Sequence, residues 1–138
     1  MSNGTLEWSE RFSVGVAALD DDHKRLISII DKLFTAHRDG TLSAEVAPIL
    51  EELIAYTDEH FEHEEDLLRK YSYPGLREQE LAHQRFVTSV LKVRLDWNDG
   101  ESVASVLKLA GLLKGWLIEH IVGMDRQFKD YLNRRGVS

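Results

Sequence analysis

The chain has 138 residues, the length of one ordinary domain, with 43% hydrophobic and 30% charged residues, a balance that suits a soluble globular fold able to bury its own core. Its 24 acidic and 17 basic side chains give a net charge of −7, and the scattered lysines and arginines argue against nucleic acid as a partner. Without cysteine, disulfides, thiolate metal sites, thiol nucleophiles and CxxCH haem attachment are excluded; without a basic n-region, an apolar h-region or an apolar run of ~18 residues, a cytoplasmic protein with no membrane partner is expected.

In chain order, residues 1–20 lack helical periodicity, but Phe12, Val14 and Val16 alternate with Ser13 and Gly15, the pattern of an extended arm anchored by Trp8 and Phe12. Asp20 to Asp22 are N-cap candidates for a first helix with the apolar stripe Leu26, Ile29, Ile30, Leu33 and Phe34, ending at Asp39-Gly40. A second helix starts near Ser43, tolerates Pro48 only in or near its first turn, and stops at Tyr73-Pro74-Gly75. The third spans about Leu76 to Trp97 and breaks at Asn98-Asp99-Gly100; the fourth runs from about Ser102 to Asn133. Long helices with short connections predict an all-α, up-down-up-down antiparallel four-helix bundle. The expected organisation is one domain over 1–138, with 1–20 as an N-terminal arm and 21–134 as the bundle.

The polar residues on the inward faces carry the chemistry. A spacing of four rotates a helical position by only about 40°, so His60 and Glu64 share a face, as do Gln79 and His83. His23 continues the stripe of Leu26, Ile30 and Phe34, and His120 that of Val106, Leu109, Leu113 and Leu117. Any one buried histidine is more often just a hydrogen-bonded core residue. Six inward ligand-type residues, His23, His60, Glu64, His83, His120 and Asp125, need mutual pairing or a cation, because unpaired buried charge costs several kcal/mol. Imidazole and carboxylate suit iron, manganese or zinc. The set exceeds the appetite of one tetrahedral zinc, so two metals bridged by Glu64 and Asp125 fit it better. There is no HExxH zincin motif, and the site is richer in nitrogen than a ferritin-like one.

His120 and Asp125 lie five residues apart, about 140° on a regular α-helix. Both reach one centre only if a turn widens, so a π-bulge is expected between them, eased by Gly123. His37 lies about 21 Å along the helix axis from His23, too far to share its metal. His63 is expected at the surface or behind the ligands. The rest of the acidic run, Glu62, Glu65 and Asp66, is expected to be a solvated face, and Phe61, Phe86, Trp97, Trp116 and Phe128 to be core, those nearest the metal keeping it dry.

The segments WSERFSVGV, LDDDHKRL, YTDEHFEHEEDLL, YPGLREQELAHQRF and WLIEHIVGMDRQF, five in order over nearly the whole chain, resemble the hemerythrin family, specifically the stand-alone bacterial hemerythrins. The resemblance implies a non-haem centre of two iron ions (Fe2+/Fe3+) with an oxo or hydroxo bridge that binds O2 reversibly for storage, transport or delivery. It assigns His23 and His60 to the iron with the open position, His83 and His120 to the other, and Glu64 and Asp125 to the bridge. The family pattern has a further histidine where this chain has Gln79. An amide oxygen is a weaker donor than imidazole, so Gln79 is expected either to bind iron weakly or to leave that position to water. The same departure favours the alternative of a di-iron enzyme, an oxidase, peroxidase or nitric oxide reductase, with O2, nitric oxide and peroxide as the ligands to weigh. An excised oxygen or redox sensor domain is the third reading, and it fits less well because no signalling domain follows residue 138.

Overall fold

The structure is a computed structural model that describes residues 8–98, 100 and 102–138. The described residues are helical throughout, with no strand among them. A 3-10 turn at Glu10–Phe12 leads to α1 (Ala17–Arg38), α2 (Leu42–Lys70), α3 (Leu76–Asn98) and α4 (Val103–Glu119); a π-helical segment, His120–Asp125, then joins α4 to α5 (Gln127–Asn133). The first seven residues of the expected arm, and Asp99 of the expected break after α3, lie outside the described residues.

The helix boundaries follow from local chemistry. α1 starts a turn earlier than the expected cap at Asp20 to Asp22, and its N-cap residue, Val16, offers no side-chain hydrogen bond. Asp20 supplies the bond from inside the helix: its carboxylate accepts from Ser13 Oγ (2.6 Å) and from the Val14 N–H (2.8 Å). It thereby places a negative charge at the positive helix end and ties the incoming chain down. Gly15 (φ +73°) turns this segment, and a Cβ there would come within 2.7 Å of Lys129 Cγ. Asn133 Nδ2 donates to the Gly15 carbonyl (3.0 Å), fixing the segment to α5.

Pro48 sits in the second turn of α2, near its first turn as expected. Its ring removes the donor that the Ala44 carbonyl would otherwise meet, and the cost stays small because Ala44 and Pro48 are both exposed. Ser102 caps α4, accepting from the Ser105 N–H (3.1 Å). The fourth helical stretch, expected to run unbroken from Ser102 to Asn133, is divided by the π segment, where the Arg126 N–H reaches the Ile121 carbonyl five residues back (3.1 Å). The expected widening between His120 and Asp125 is therefore present.

α2 packs on α1 and on α3, α3 packs on α4, and α4 closes back on α1, while the 3-10 turn touches the π segment. The core between them is made by Leu26, Ile30, Leu33, Leu50, Leu53, Val90, Val106 and Leu117, all buried. Each such side chain contributes roughly 1.5–3 kcal/mol. Phe12, Val14 and Val16 are buried too, so the alternation in the N-terminal segment reports packing onto the helices. Two interactions lock the ends. Lys114 on α4 donates to Asp31 on α1 (2.7 Å), and the Tyr131 hydroxyl donates to the carbonyls of Tyr71 (2.7 Å) and Ser72 (2.9 Å) between α2 and α3.

Candidate metal centre

Four helical stretches each send polar side chains to one place in this apolar interior. His23 comes from α1, His60 and Glu64 from α2, Gln79 and His83 from α3, and His120 and Asp125 from the two ends of the π segment. All seven are buried, Glu64 completely. The spacing of four keeps the pairs on α2 and α3 on single faces, and the widened turn brings Asp125 round to the face of His120.

Glu64 is the hub. Its Oε2 lies 3.4 Å from His23 Nε2 and 3.3 Å from His60 Nε2, and its Oε1 lies 3.0 Å from His83 Nε2. Asp125 mirrors it, with Oδ2 at 3.3 Å from His23 Nε2 and Oδ1 at 2.9 Å from His120 Nε2. The ligand atoms form two groups, His23, His60 and Glu64 in one and Glu64, His83, His120 and Asp125 in the other, each within 4.8 Å. Glu64 belongs to both. Despite these short approaches, both Glu64 oxygens, Asp125 Oδ1, the two His23 nitrogens and Gln79 Oε1 have no hydrogen-bond partner of acceptable geometry. His83 Nε2 and His120 Nε2 are 3.2 Å apart and can share a proton; the other buried donor atoms that crowd this centre without partners suit a cation.

The imidazoles are held from behind. Asp22 Oδ2 lies 2.9 Å from His60 Nδ1 and 3.2 Å from His63 Nδ1, and its Oδ1 accepts from the Tyr56 hydroxyl (3.0 Å). Glu65 Oε2 lies 2.7 Å from His83 Nδ1. With Nδ1 protonated toward a carboxylate, Nε2 is left as the metal-binding nitrogen, its ring fixed and its basicity raised. Phe61 stacks on His83 (3.8 Å between centroids) and Trp116 on His120 (4.8 Å), walling the rings with apolar surface.

Charges follow these contacts. Burial opposes ionisation of Glu64, but the close approach of the His23, His60 and His83 rings outweighs it and holds the carboxyl well below its usual range. Asp125 is lowered as well: burial and the Glu64 charge act against it, and His120 and His23 win. Burial would lower His23, yet Asp125 and Glu64 push it up to about 10; His83, likewise opposed by burial, is pushed up to about 9 by Glu64 and Glu65. Asp22, disfavoured by burial, is still brought down to about 2 by His60 and His63. The raised His23 and His83 imidazoles hold protons at neutral pH when no metal is bound, so a cation must displace protons to enter.

All six residues read from the sequence as ligands are brought together here, and Gln79 is buried beside them on α3. His37 is exposed near the end of α1 and takes no part, while His63, 52% exposed, meets the centre only through Asp22. Two expectations fail. Glu65 is not a solvated acid but the partner of His83, and Asp22 is not a cap but the partner of His60. Asp22 adjoins His23, about 100° round the helix, a placement that turns it toward α2 and could have flagged it. Trp97 and Trp116 are only partly buried, unlike Phe61, Phe86 and Phe128.

The fold and the site define a class: all-helical proteins with a buried metal site of imidazole and carboxylate. Comparisons with known proteins narrow it. Residues 14–132 match the family model for the hemerythrin HHE cation binding domain. The bacteriohemerythrin of Pseudomonas aeruginosa strain LESB58 is 34% identical over 125 residues, covering 91% of this chain and 80% of that protein. The myohemerythrin of Theromyzon tessulatum is 29% identical over 126 residues, covering 91% of this chain and 92% of that one. A crystal structure of wild-type hemerythrin shares the fold with a TM-score of 0.82 at 24% identity, over 91% of this chain and 95% of that one. The chain belongs to the hemerythrin family.

Proposed function

We propose that this protein holds two iron ions and binds O2 reversibly, for oxygen storage, transport or delivery. The observation that carries the reading is Glu64: fully buried, it has both oxygens without hydrogen-bond partners and stands in two ligand groups at once. In this reading His23 and His60 would hold one iron and His83 and His120 the other, with Glu64 and Asp125 as the carboxylates that would serve both. Family membership supplies the choice of iron over manganese or zinc. When bound, a ferrous pair supplies reversible redox binding of O2.

The protein's own part is to orient and to exclude water. Asp22 and Glu65 fix one imidazole in each group through Nδ1, presenting Nε2 as a neutral donor. Phe61 stacks on His83, Trp116 stacks on His120 and on Phe86, and Phe61 meets Phe86 edge-to-face, an aromatic wall that keeps water, and therefore protons, from that side of the two rings. In the same reading the helical stretches are an up-down-up-down four-helix bundle of one domain. The sequential packing with closure of α4 on α1 supports this, as do the short connections. The buried segment before α1 serves as its N-terminal arm.

A di-iron enzyme, oxidase, peroxidase or nitric oxide reductase in type, is the second reading. One observation favours it: a buried Gln79 amide with an unpartnered oxygen stands where the family pattern has an imidazole. Repeated oxygenation and deoxygenation of the iron-loaded protein, followed by its optical spectrum, separates the two. Full return of the oxygenated spectrum on every cycle is the expected result. Progressive loss with release of peroxide would replace the carrier reading by the enzymatic one.

A further inference from the structure

The end of the molecule formed by the α2–α3 connection and the π segment holds a pocket of about 290 Å3, walled by Tyr73, Gly75, Glu78, Gln79, Met124 and Gln127. Its mouth is at the surface, since Glu78 and Gln127 are exposed, while Gln79 in its wall is 1% exposed. The Gln79 amide oxygen is buried and has no hydrogen-bond partner. On the other side Gln79 stands one helical turn before His83, and Met124 immediately precedes Asp125, so two of the lining residues adjoin members of the group of Glu64, His83, His120 and Asp125 along the chain. Tyr73, whose phenol is kept protonated first by burial and then by the charges of Asp125 and Glu78, registers the same proximity.

We propose that this pocket is an entrance for a small neutral nitrogen or oxygen donor, which reaches the His83–His120 metal beside Gln79 and takes the position that a protein imidazole would otherwise fill. The inference rests on the di-iron reading above. Three features support it. The amide is the weakest donor in the cluster, and Gln79 is the one residue of the cluster that lines the pocket, so it is the one an outside ligand can displace. The space exceeds the ~30 Å3 of a water several-fold, enough for a five-membered ring. The lining contains a carboxylate, Glu78, and no lysine or arginine, so an anion meets repulsion at the mouth where a neutral molecule does not.

The test uses imidazole and azide as probes on iron-loaded protein, with iron counted in every sample and binding read by calorimetry and stopped-flow absorbance. Wild type is expected to bind one imidazole per chain; Gln79→Ala binds it more tightly, and Gln79→His abolishes the binding. Gln127→Trp, at the exposed mouth, is expected to slow imidazole association about tenfold, whereas Val122→Trp, exposed outside the pocket, leaves it unchanged. Glu78→Gln should speed azide association and leave that of imidazole alone. If wild type with full iron takes up no imidazole, or if uptake is indifferent to both Gln79 and Gln127 substitutions, the entrance is refuted while the di-iron reading stands. Fewer than two irons in wild type would overturn that reading, and the entrance with it.

Discussion

The two halves of the centre use the same device in different surroundings. Around His23 and His60 the backing is polar: Asp22 supports His60 and is itself held by His63 and Tyr56. Around His83 and His120 one imidazole is again backed by a carboxylate, Glu65, and both rings are walled by aromatics, yet the adjacent position belongs to an amide that borders a pocket. A carboxylate behind an imidazole sets the orientation and basicity of one ligand; whether a half of the site is saturated depends on the remaining donor. The difference between the halves therefore lies in Gln79, and substitutions can isolate it.

The largest effect belongs to the residue the halves share. Glu64→Ala removes the oxygens that face His23, His60 and His83, and is expected to reduce bound iron from two per chain to less than one, measured by metal analysis after desalting. It also removes one of the two carboxylates beside each of His23, His60 and His83, so proton NMR of the metal-free variant should show the His23 and His83 titrations moved down from those of the metal-free parent. Retention of both irons would break the account of Glu64 as hub.

Next come the backing carboxylates. Asp22→Asn and Glu65→Gln should each weaken iron binding about 10- to 100-fold, and each in its own half. Competition with a ferrous chelator would show biphasic release, the fast phase being the His60 iron in one variant and the His83 iron in the other. Equal weakening of both irons by either change would mean that the halves do not act separately.

The pH dependence of metal-free protein is smaller. His23 and His83 have folded-state values of about 10 and about 9 against 6.5 in the unfolded chain. Their stabilisation is complete below pH 6.5 and is lost as pH rises through 9 and 10. Melting temperature should therefore fall between pH 7 and pH 10 in metal-free protein. With iron bound the imidazoles are already neutral, so the loaded protein should melt nearly independently of pH over that range. Matching pH profiles for the two forms would contradict this.

The smallest effect is that of Gln79→His, which fills the weak position without altering charge. It should lengthen the life of the oxygenated protein severalfold, on the order of 1 kcal/mol in barrier, in stopped-flow decay of samples with equal iron. No change would mean that Gln79 is not what distinguishes the halves.

What the sequence disclosed, and what it hid, follows from the range of each interaction. The convergence of the six candidate ligands was legible because a spacing of four puts side chains on one helical face, and because His23 and His120 extend apolar stripes that had to turn inward. The π segment was legible for the converse reason: five residues between His120 and Asp125 do not fit a regular helix that serves one centre. Asp22 and Glu65 were not. Their partners lie on neighbouring helices, at sequence separations of 38 and 18, and an acid beside a ligand looks locally like any exposed acid. The start of α1 was misplaced because Asp20 bonds backward to Ser13 and Val14 from inside the helix rather than from its cap.

The most direct test of two unequal iron-binding halves is Mössbauer spectroscopy of the di-ferrous protein loaded with isotopically enriched iron. Two quadrupole doublets of equal area are expected, one for each half, with imidazole addition shifting only one of them. A single doublet, or two of unequal area that vary with preparation, would contradict the account.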